Sequence, residues 1–154
     1  MSQVIHFYST TGEYGVFSNF SRTPIFLDGQ RWRTTEHYFQ AMKFPAGEHR
    51  EAVRQAKTPM IAAQIGRDRK RPLRRDWESV KDNVMYAGVL AKFTQHADLR
   101  AVLIGTGDAE LVEHTANDAY WGDGGDGSGR NVLGRILMRV RSELAALVEA
   151  TSAG

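Results

Sequence analysis

The nine residues Glu36-His37-Tyr38-Phe39-Gln40-Ala41-Met42-Lys43-Phe44 constrain the fold more than any other stretch of the chain. Thr34 or Thr35 offers an N-cap in front of them and Pro45 blocks continuation behind, which predicts a helix running to Phe44. A helix carrying His, Tyr, Phe, Ala, Met and Phe is apolar nearly all round and has to be buried. The rest of the chain must therefore close over it. Glu36 and Gln40 are four apart and Gln40 and Lys43 three apart, so these polar groups form one narrow stripe. The stripe faces either a pocket or internal partners.

At 1.5 Å of rise per residue, Glu36 and Lys43 stand roughly 10 Å apart along the axis. That is long for a direct ion pair and suits two groups bracketing a small substrate. Side chains lean toward the helix N-terminus, which brings Lys43 back over Gln40. Spacing alone leaves two readings open. One is a buried polar network that only holds the fold. In the other, desolvation lowers the Lys43 pKa, the neutral amine is a nucleophile, and Glu36 is its general acid/base.

A chain of 154 residues fits one domain spanning 1–154, with 151–154 as a frayed tail. With 42% hydrophobic and 25% charged residues, it has the composition of a globular protein and not of a disordered one. The absence of cysteine excludes disulfides, thiolate zinc sites and a cysteine nucleophile, and agrees with a reducing, cytoplasmic setting. No basic leader followed by an apolar run opens the sequence, and no stretch approaches the ~20 apolar residues a membrane helix requires, so no membrane partner is expected. The net charge of +2 does not by itself demand a nucleic-acid partner.

Val4 to Tyr8 reads as a strand. Ile25-Phe26-Leu27 and Gln30-Arg31-Trp32 read as a hairpin about an Asp28-Gly29 turn. Further helices are expected over Glu48–Ala56 and from Thr58-Pro59 to a closing Gly66. Another starts behind Asp76 and runs to Thr94, followed by Ala97–Ile104 and Asn131–Ala150. Leu111 to His114 adds a strand. The fold class is α+β, mainly helical with a small strand component, and it lacks the strand–helix alternation of a Rossmann fold.

Asn117-Asp118-Ala119-Tyr120-Trp121 leads into a loop with five glycines in the eight residues from Gly122 to Gly129. Such a loop permits close backbone approach to a ligand, and the helix start behind it offers free N–H groups to a phosphate or sugar oxygen. Tyr120 and Trp121 suit stacking on a planar base. A flexible surface turn explains the glycines alone equally well. The loop is neither a Walker loop, lacking Gly-Lys-Ser/Thr, nor an EF-hand, since Gly134 stands where the closing Glu belongs. Arg67, Arg69, Lys70, Arg71, Arg74 and Arg75 crowd nine residues and read as a solvated face or as a phosphate-binding patch. His6, His37, His49, His96 and His114 show no metal-type spacing, so no metal is expected. Glu113-His114 with Asp118 reads as local hydrogen bonding. No Gly-x-Ser-x-Gly elbow supports a serine hydrolase.

Thr35-Glu-His-Tyr-Phe-Gln-Ala-Met-Lys43-Phe, Gly15-Val-Phe-Ser-Asn-Phe20, Asn117-Asp-Ala-Tyr-Trp-Gly122 and Gly129-Arg-Asn-Val-Leu-Gly134 together resemble the NADAR superfamily (NAD and ADP-ribose associated). The resemblance is closest to its YbiA-like branch and extends from about Val4 to Leu147. It implies an N-glycosidase that cuts the bond between ribose and a base, on phosphorylated ribosylaminopyrimidine intermediates of riboflavin synthesis. Other branches of the family remove ADP-ribose from guanine in DNA or RNA, which would make nucleic acid the partner. A third reading is an ADP-ribose or nucleotide binding module without turnover, against which the Glu36–Lys43 pair argues. The family's essential lysine falls on Lys43, its helix glutamate on Glu36, and the later aspartate and tryptophan on Asp118 and Trp121. Lys43, Glu36 and Asp118 are thus the expected catalytic residues. Trp121, Tyr120, Asn131, Gln40, Asn19, Phe20, Arg67, Gly127 and Gly129 are the expected substrate contacts. Neither cofactor nor metal is implied, and oligomeric state is left open.

Overall fold

The computed structural model describes residues 3–153, without the side chains of 152 and 153. Its contacts divide the chain into two compact units, Asn19–Lys92 and a second made of the segment up to Ser18 together with the segment from Phe93 onward. Described residues form six α-helices, one short 3-10 helix (Gly15–Phe17) and two small sheets, the expected α+β class. No helix among them is long and apolar enough to cross a membrane.

The Asn19–Lys92 unit begins with a hairpin of β1 (Ile25–Leu27) and β2 (Gln30–Trp32), in which Ile25 faces Trp32. Asp28 and Gly29 turn it with φ values of 55° and 77°, the left-handed pair that a two-residue hairpin turn demands. Trp32 is fully buried and its indole N–H donates to the Leu27 carbonyl at 3.0 Å, closing the hairpin on itself. Next comes α1 (Thr35–Ala41), capped by the Thr34 hydroxyl, which accepts from the His37 N–H at 3.1 Å. Every residue of α1 is buried, as its all-round apolar sequence requires. Two helices, α2 (Glu48–Arg54) and α3 (Pro59–Gly66), pack against it and each other, and α4 (Trp77–Gln95) carries the chain out of the unit.

The helix expected to reach Phe44 stops at Ala41. Pro45 disfavours a helical Phe44, and the chain tightens into i→i+3 bonds, Lys43 N–H to Gln40 at 3.3 Å and Phe44 N–H to Ala41 at 3.2 Å. Lys43 therefore sits on a turn one residue past the helix cap, still three residues from Gln40.

In the other unit a strand at Val4–Phe7 (β0) pairs in parallel with β3 (Glu110–Glu113), with Ile5 beside Leu111 and His6 beside Val112. Ile5 and Phe7 point inward and Val4 and His6 outward. Helices α5 (Ala97–Gly105) and α6 (Val132–Ala153) pack together, and α6 also covers β3. Its buried stripe is Val132, Leu133, Ile136, Leu137, Val140 and Leu144, each worth roughly 1.5–3 kcal/mol when fully buried. α6 runs on to Ala153, past the end expected at Ala150, and the Thr151 hydroxyl donates back to the Leu147 carbonyl at 2.9 Å. Gly154 lies outside the described residues.

Candidate active site

Two members of the stripe are bonded to each other. Glu36 and Gln40 are buried at 7% and 3% exposure. The Gln40 amide donates to Glu36 Oε1 at 2.7 Å. Since a carboxylate only accepts, this bond fixes which end of the amide faces Glu36 and leaves Gln40 Oε1 buried without a hydrogen-bond partner. Lys43 is half-buried, its ammonium 5.8 Å from the Phe39 ring centre and 3.4 Å from the Gly66 carbonyl. Burial lowers its pKa below that of a free lysine; Arg67 pushes in the same direction and Glu36 opposes both. Among the run of basic residues, Arg67 is thus the one whose charge is felt at Lys43. Arg71 is tied to Asp68 and His49, and Arg74 to Asp76, whereas Arg67, Arg69, Lys70 and Arg75 are exposed.

Two neighbouring groups serve the framework. His37 is fully buried, with Nε2 donating to the Ala56 carbonyl at 2.9 Å and Nδ1 accepting from Thr34 at 2.8 Å. Burial lowers its pKa, favouring the neutral ring. Asn19 gives its side-chain N–H to the Met85 sulfur at 3.2 Å, and its carbonyl accepts the Glu36 N–H at 3.1 Å. Asn19 thereby fixes the first turn of α1, and Phe20 beside it is half-buried.

The second unit holds Asp118, Tyr120, Trp121, Gly127, Gly129 and Asn131. Asp118 Oδ1 accepts the N–H groups of Tyr120 and Trp121 at 2.9 and 2.8 Å, closing a turn that sets these two half-buried residues side by side. Those rings meet edge to face at 4.9 Å, and Arg130 covers Tyr120 at 5.0 Å. Asn131, at φ 51°, uses both ends of its amide on β3: Oδ1 accepts the Glu113 N–H at 3.0 Å and Nδ2 donates to the Leu111 carbonyl at 2.9 Å.

The free N–H groups expected at the start of α6 are not free. The N–H groups of Arg130, Asn131, Val132 and Leu133 donate to the carbonyls of Ala119, Gly122, Tyr120 and Trp121 at 2.8–3.1 Å. The aromatic loop itself caps the helix, so the anion cradle predicted there is filled by the protein's own backbone. Gly129 serves the same closure, since a Cβ on it would lie 2.5 Å from the Gly122 carbonyl oxygen. At Gly134 a Cβ would lie 2.1 Å from the Leu111 carbonyl oxygen and 2.4 Å from Asn131 Nδ2. Gly134→Ala is expected to cost about 1–3 kcal/mol by overpacking, read as a lower midpoint in thermal denaturation; an unchanged midpoint would contradict the α6–β3 fit.

Gly127 and Gly129 do border a cleft of about 420 Å³, together with His6, Asp123, Arg130 and Arg135. Asp123 is 4% exposed and gathers three donors: His114 Nδ1 at 2.7 Å, and the N–H groups of Thr115 and Gly125 at 3.0 and 2.9 Å. The His114 bond, with those backbone donors, holds its carboxyl down at about 2. Sequence reasoning paired His114 with Asp118; the fold pairs it with Asp123 and brings His6 to 5.0 Å from its ring. It also missed Lys92, whose side chain is 1% exposed and whose ammonium burial pulls down to about 7. A lysine inside a helix carries no local signal of such depth.

The NADAR domain family model matches residues 6–145, running through both units. The chain belongs to the NADAR family. It is similar to the N-glycosidase YbiA of Escherichia coli, 58% identical over 92% of this chain and 89% of that protein. An N-glycosidase of Nostoc punctiforme is 45% identical over 96% of each chain. The solution structure of E. coli YbiA superposes with a TM-score of 0.88, covering 95% of this chain and 88% of that one at 56% identity. A chloroplastic riboflavin biosynthesis protein of Zea mays is 39% identical, with this NADAR chain spanning 27% of its length. Identity of this order over nearly the whole of both chains carries the activity class as well: this NADAR protein is an N-glycosidase.

Proposed function

We propose that this NADAR protein hydrolyses the ribose–base bond of a phosphorylated ribosylaminopyrimidine intermediate of riboflavin synthesis, through a Schiff base on Lys43. The observation that carries the mechanism is the amine itself: a half-buried lysine whose pKa burial lowers, within the electrostatic reach of a buried carboxylate oriented by Gln40. The substrate class rests on the riboflavin biosynthesis name of a relative that contains this domain.

The steps balance without an outside reactant. Ring opening moves the C1–O bond pair to the ring oxygen, which takes up the N–H proton of the base nitrogen, and leaves C1 doubly bonded to that nitrogen. Neutral Lys43 attacks C1, and its two protons pass in turn to the departing nitrogen with Glu36 as carrier. The C1–base bond breaks, leaving C1 doubly bonded to Lys43 Nζ. Water then adds to C1, the C–N bond to lysine breaks, and ribose phosphate leaves as the aldehyde. Within the Asn19–Lys92 unit, Arg67 holds the phosphate, and Asn19 and Phe20 shape the surroundings. Gln40 orients Glu36. In the competing closed-ring route water attacks an oxocarbenium-like C1 and Lys43 forms no bond.

Borohydride added during turnover distinguishes the two routes. The expected product is a reduced ribosyl phosphate adduct whose peptide map places it on Lys43. Absence of any adduct, or an adduct on Lys92, overturns the assignment. A second reading, removal of ADP-ribose from guanine in DNA or RNA, draws on the exposed Arg67, Arg69, Lys70 and Arg75. Side-by-side turnover of both substrates over a salt series decides between them. An enzyme tracking a nucleic-acid backbone loses affinity steeply as salt rises, and one gripping a single phosphate loses little.

A further inference from the structure

His6 projects from the outer face of β0, His114 follows β3, and Asp123 lies in the glycine-rich loop, so three separate segments converge on one spot. One ligand atom from each, two imidazole nitrogens and a carboxylate oxygen, lie within 4.8 Å of one another. We propose that His6, His114 and Asp123 form a binding site for one divalent transition-metal ion of the zinc class.

Bond lengths of 2.0–2.1 Å around tetrahedral zinc place neighbouring ligand atoms about 3.3 Å apart. The His114 Nδ1–Asp123 Oδ2 pair, at 2.7 Å, has only to open by about half an ångström toward that spacing. The widest pair has to close, and the exposed His6 ring is free to swing on a strand whose main chain is already held by β3. Asp123 is the fixed member. Its Oδ1 is anchored by the Thr115 and Gly125 N–H groups, which leaves Oδ2 oriented toward the imidazoles. Backbone donors behind a ligating carboxylate are the outer-shell support that metal sites use.

Two imidazoles and one carboxylate select zinc, cobalt or nickel over magnesium and calcium, which prefer oxygen-rich shells. Three protein ligands leave a fourth position for water or an anion, and both His6 and Asp123 border the cleft that carries Arg130 and Arg135. None of the three ligands is a residue given a role in the proposed reaction.

The test is calorimetric titration of the untagged, chelator-treated full chain with Zn²⁺, repeated with Mg²⁺, and with Co²⁺ followed by visible absorption. One Zn²⁺ per chain is expected, with a tetrahedral cobalt spectrum, no Mg²⁺ binding, and a melting temperature that rises with Zn²⁺. His6→Ala, at an exposed strand position, keeps the fold and is expected to weaken Zn²⁺ binding by at least about tenfold. His114→Ala should do the same, and His96→Ala should leave binding unchanged. No binding in the parent chain, equal affinity in His6→Ala, or Mg²⁺ binding as tight as Zn²⁺ overturns the proposal.

Discussion

Lys43→Ala is expected to lower turnover by about a thousandfold or more, because the step it removes is bond formation itself and nothing nearby replaces the amine. The fold should survive. Lys43 contributes one long hydrogen bond, 3.4 Å to the Gly66 carbonyl, so the melting temperature should hardly move. Lys43→Arg keeps the charge and discards the nucleophile, and it should be as inactive as alanine. An arginine variant with near-parental activity would mean that the position supplies only positive charge.

The pH profile adds a signed expectation. Burial and Arg67 depress the Lys43 pKa, so the neutral amine is present at lower pH than for a free lysine. Activity is lost as pH falls through that depressed value, because the amine is protonated. Arg67→Gln removes a repelling charge, raises the pKa and moves the acidic limb to higher pH. Glu36→Gln removes an attracting charge and moves that limb to lower pH, even as the loss of the acid/base group lowers the maximum rate. Opposite displacements of the two variants are the signature; a limb that moves in neither removes Lys43 as the titrating group.

The parts legible in the sequence are those fixed by neighbours along the chain. Thr34 and Thr58 cap helices through bonds to the third residue on, and Asp28-Gly29 turns the hairpin within two residues. Helical period alone puts Glu36 and Gln40 on one stripe, where they are hydrogen-bonded, whereas Lys43 lies past the helix end. What stayed hidden depends on where separate segments meet. The carbonyls of residues 119–122 cap α6, a contact that spacing does not encode, so a filled helix end looks identical in sequence to an open one. Asn131 belongs to a motif read as ligand-binding, yet both ends of its amide hold β3. His6 and Asp123 meet only because the first strand pairs in parallel with one more than a hundred residues later.

Gly66 shows how such a hidden contact reaches the chemistry. In sequence it reads as the stop of a short helix, but it is the last helical residue of α3 and the cap is Arg67. Its backbone would accept alanine, whose helix propensity exceeds that of glycine by roughly 1 kcal/mol. The obstacle is Gln40: a Cβ at Gly66 would lie 2.0 Å from Gln40 Oε1, 2.7 Å from Cδ and 2.9 Å from Cβ. Rotating the amide away cannot relieve the last of these, since Gln40 Cβ is fixed to the α1 backbone. Gly66→Ala therefore has to shift α1 against α3 and break the 2.7 Å bond that orients Glu36. Stability is expected to fall by about 1–3 kcal/mol. Turnover should fall by about a hundredfold, the usual effect of misplacing a reacting group by an ångström. Gln40→Ala in the same chain removes Oε1 and Cδ and should restore much of the stability while activity stays low, because Glu36 still lacks its partner. That split between recovered melting temperature and unrecovered turnover separates a role in positioning from a role in folding alone. Parental kinetics in Gly66→Ala would show that the Glu36–Gln40 geometry is not what the reaction depends on.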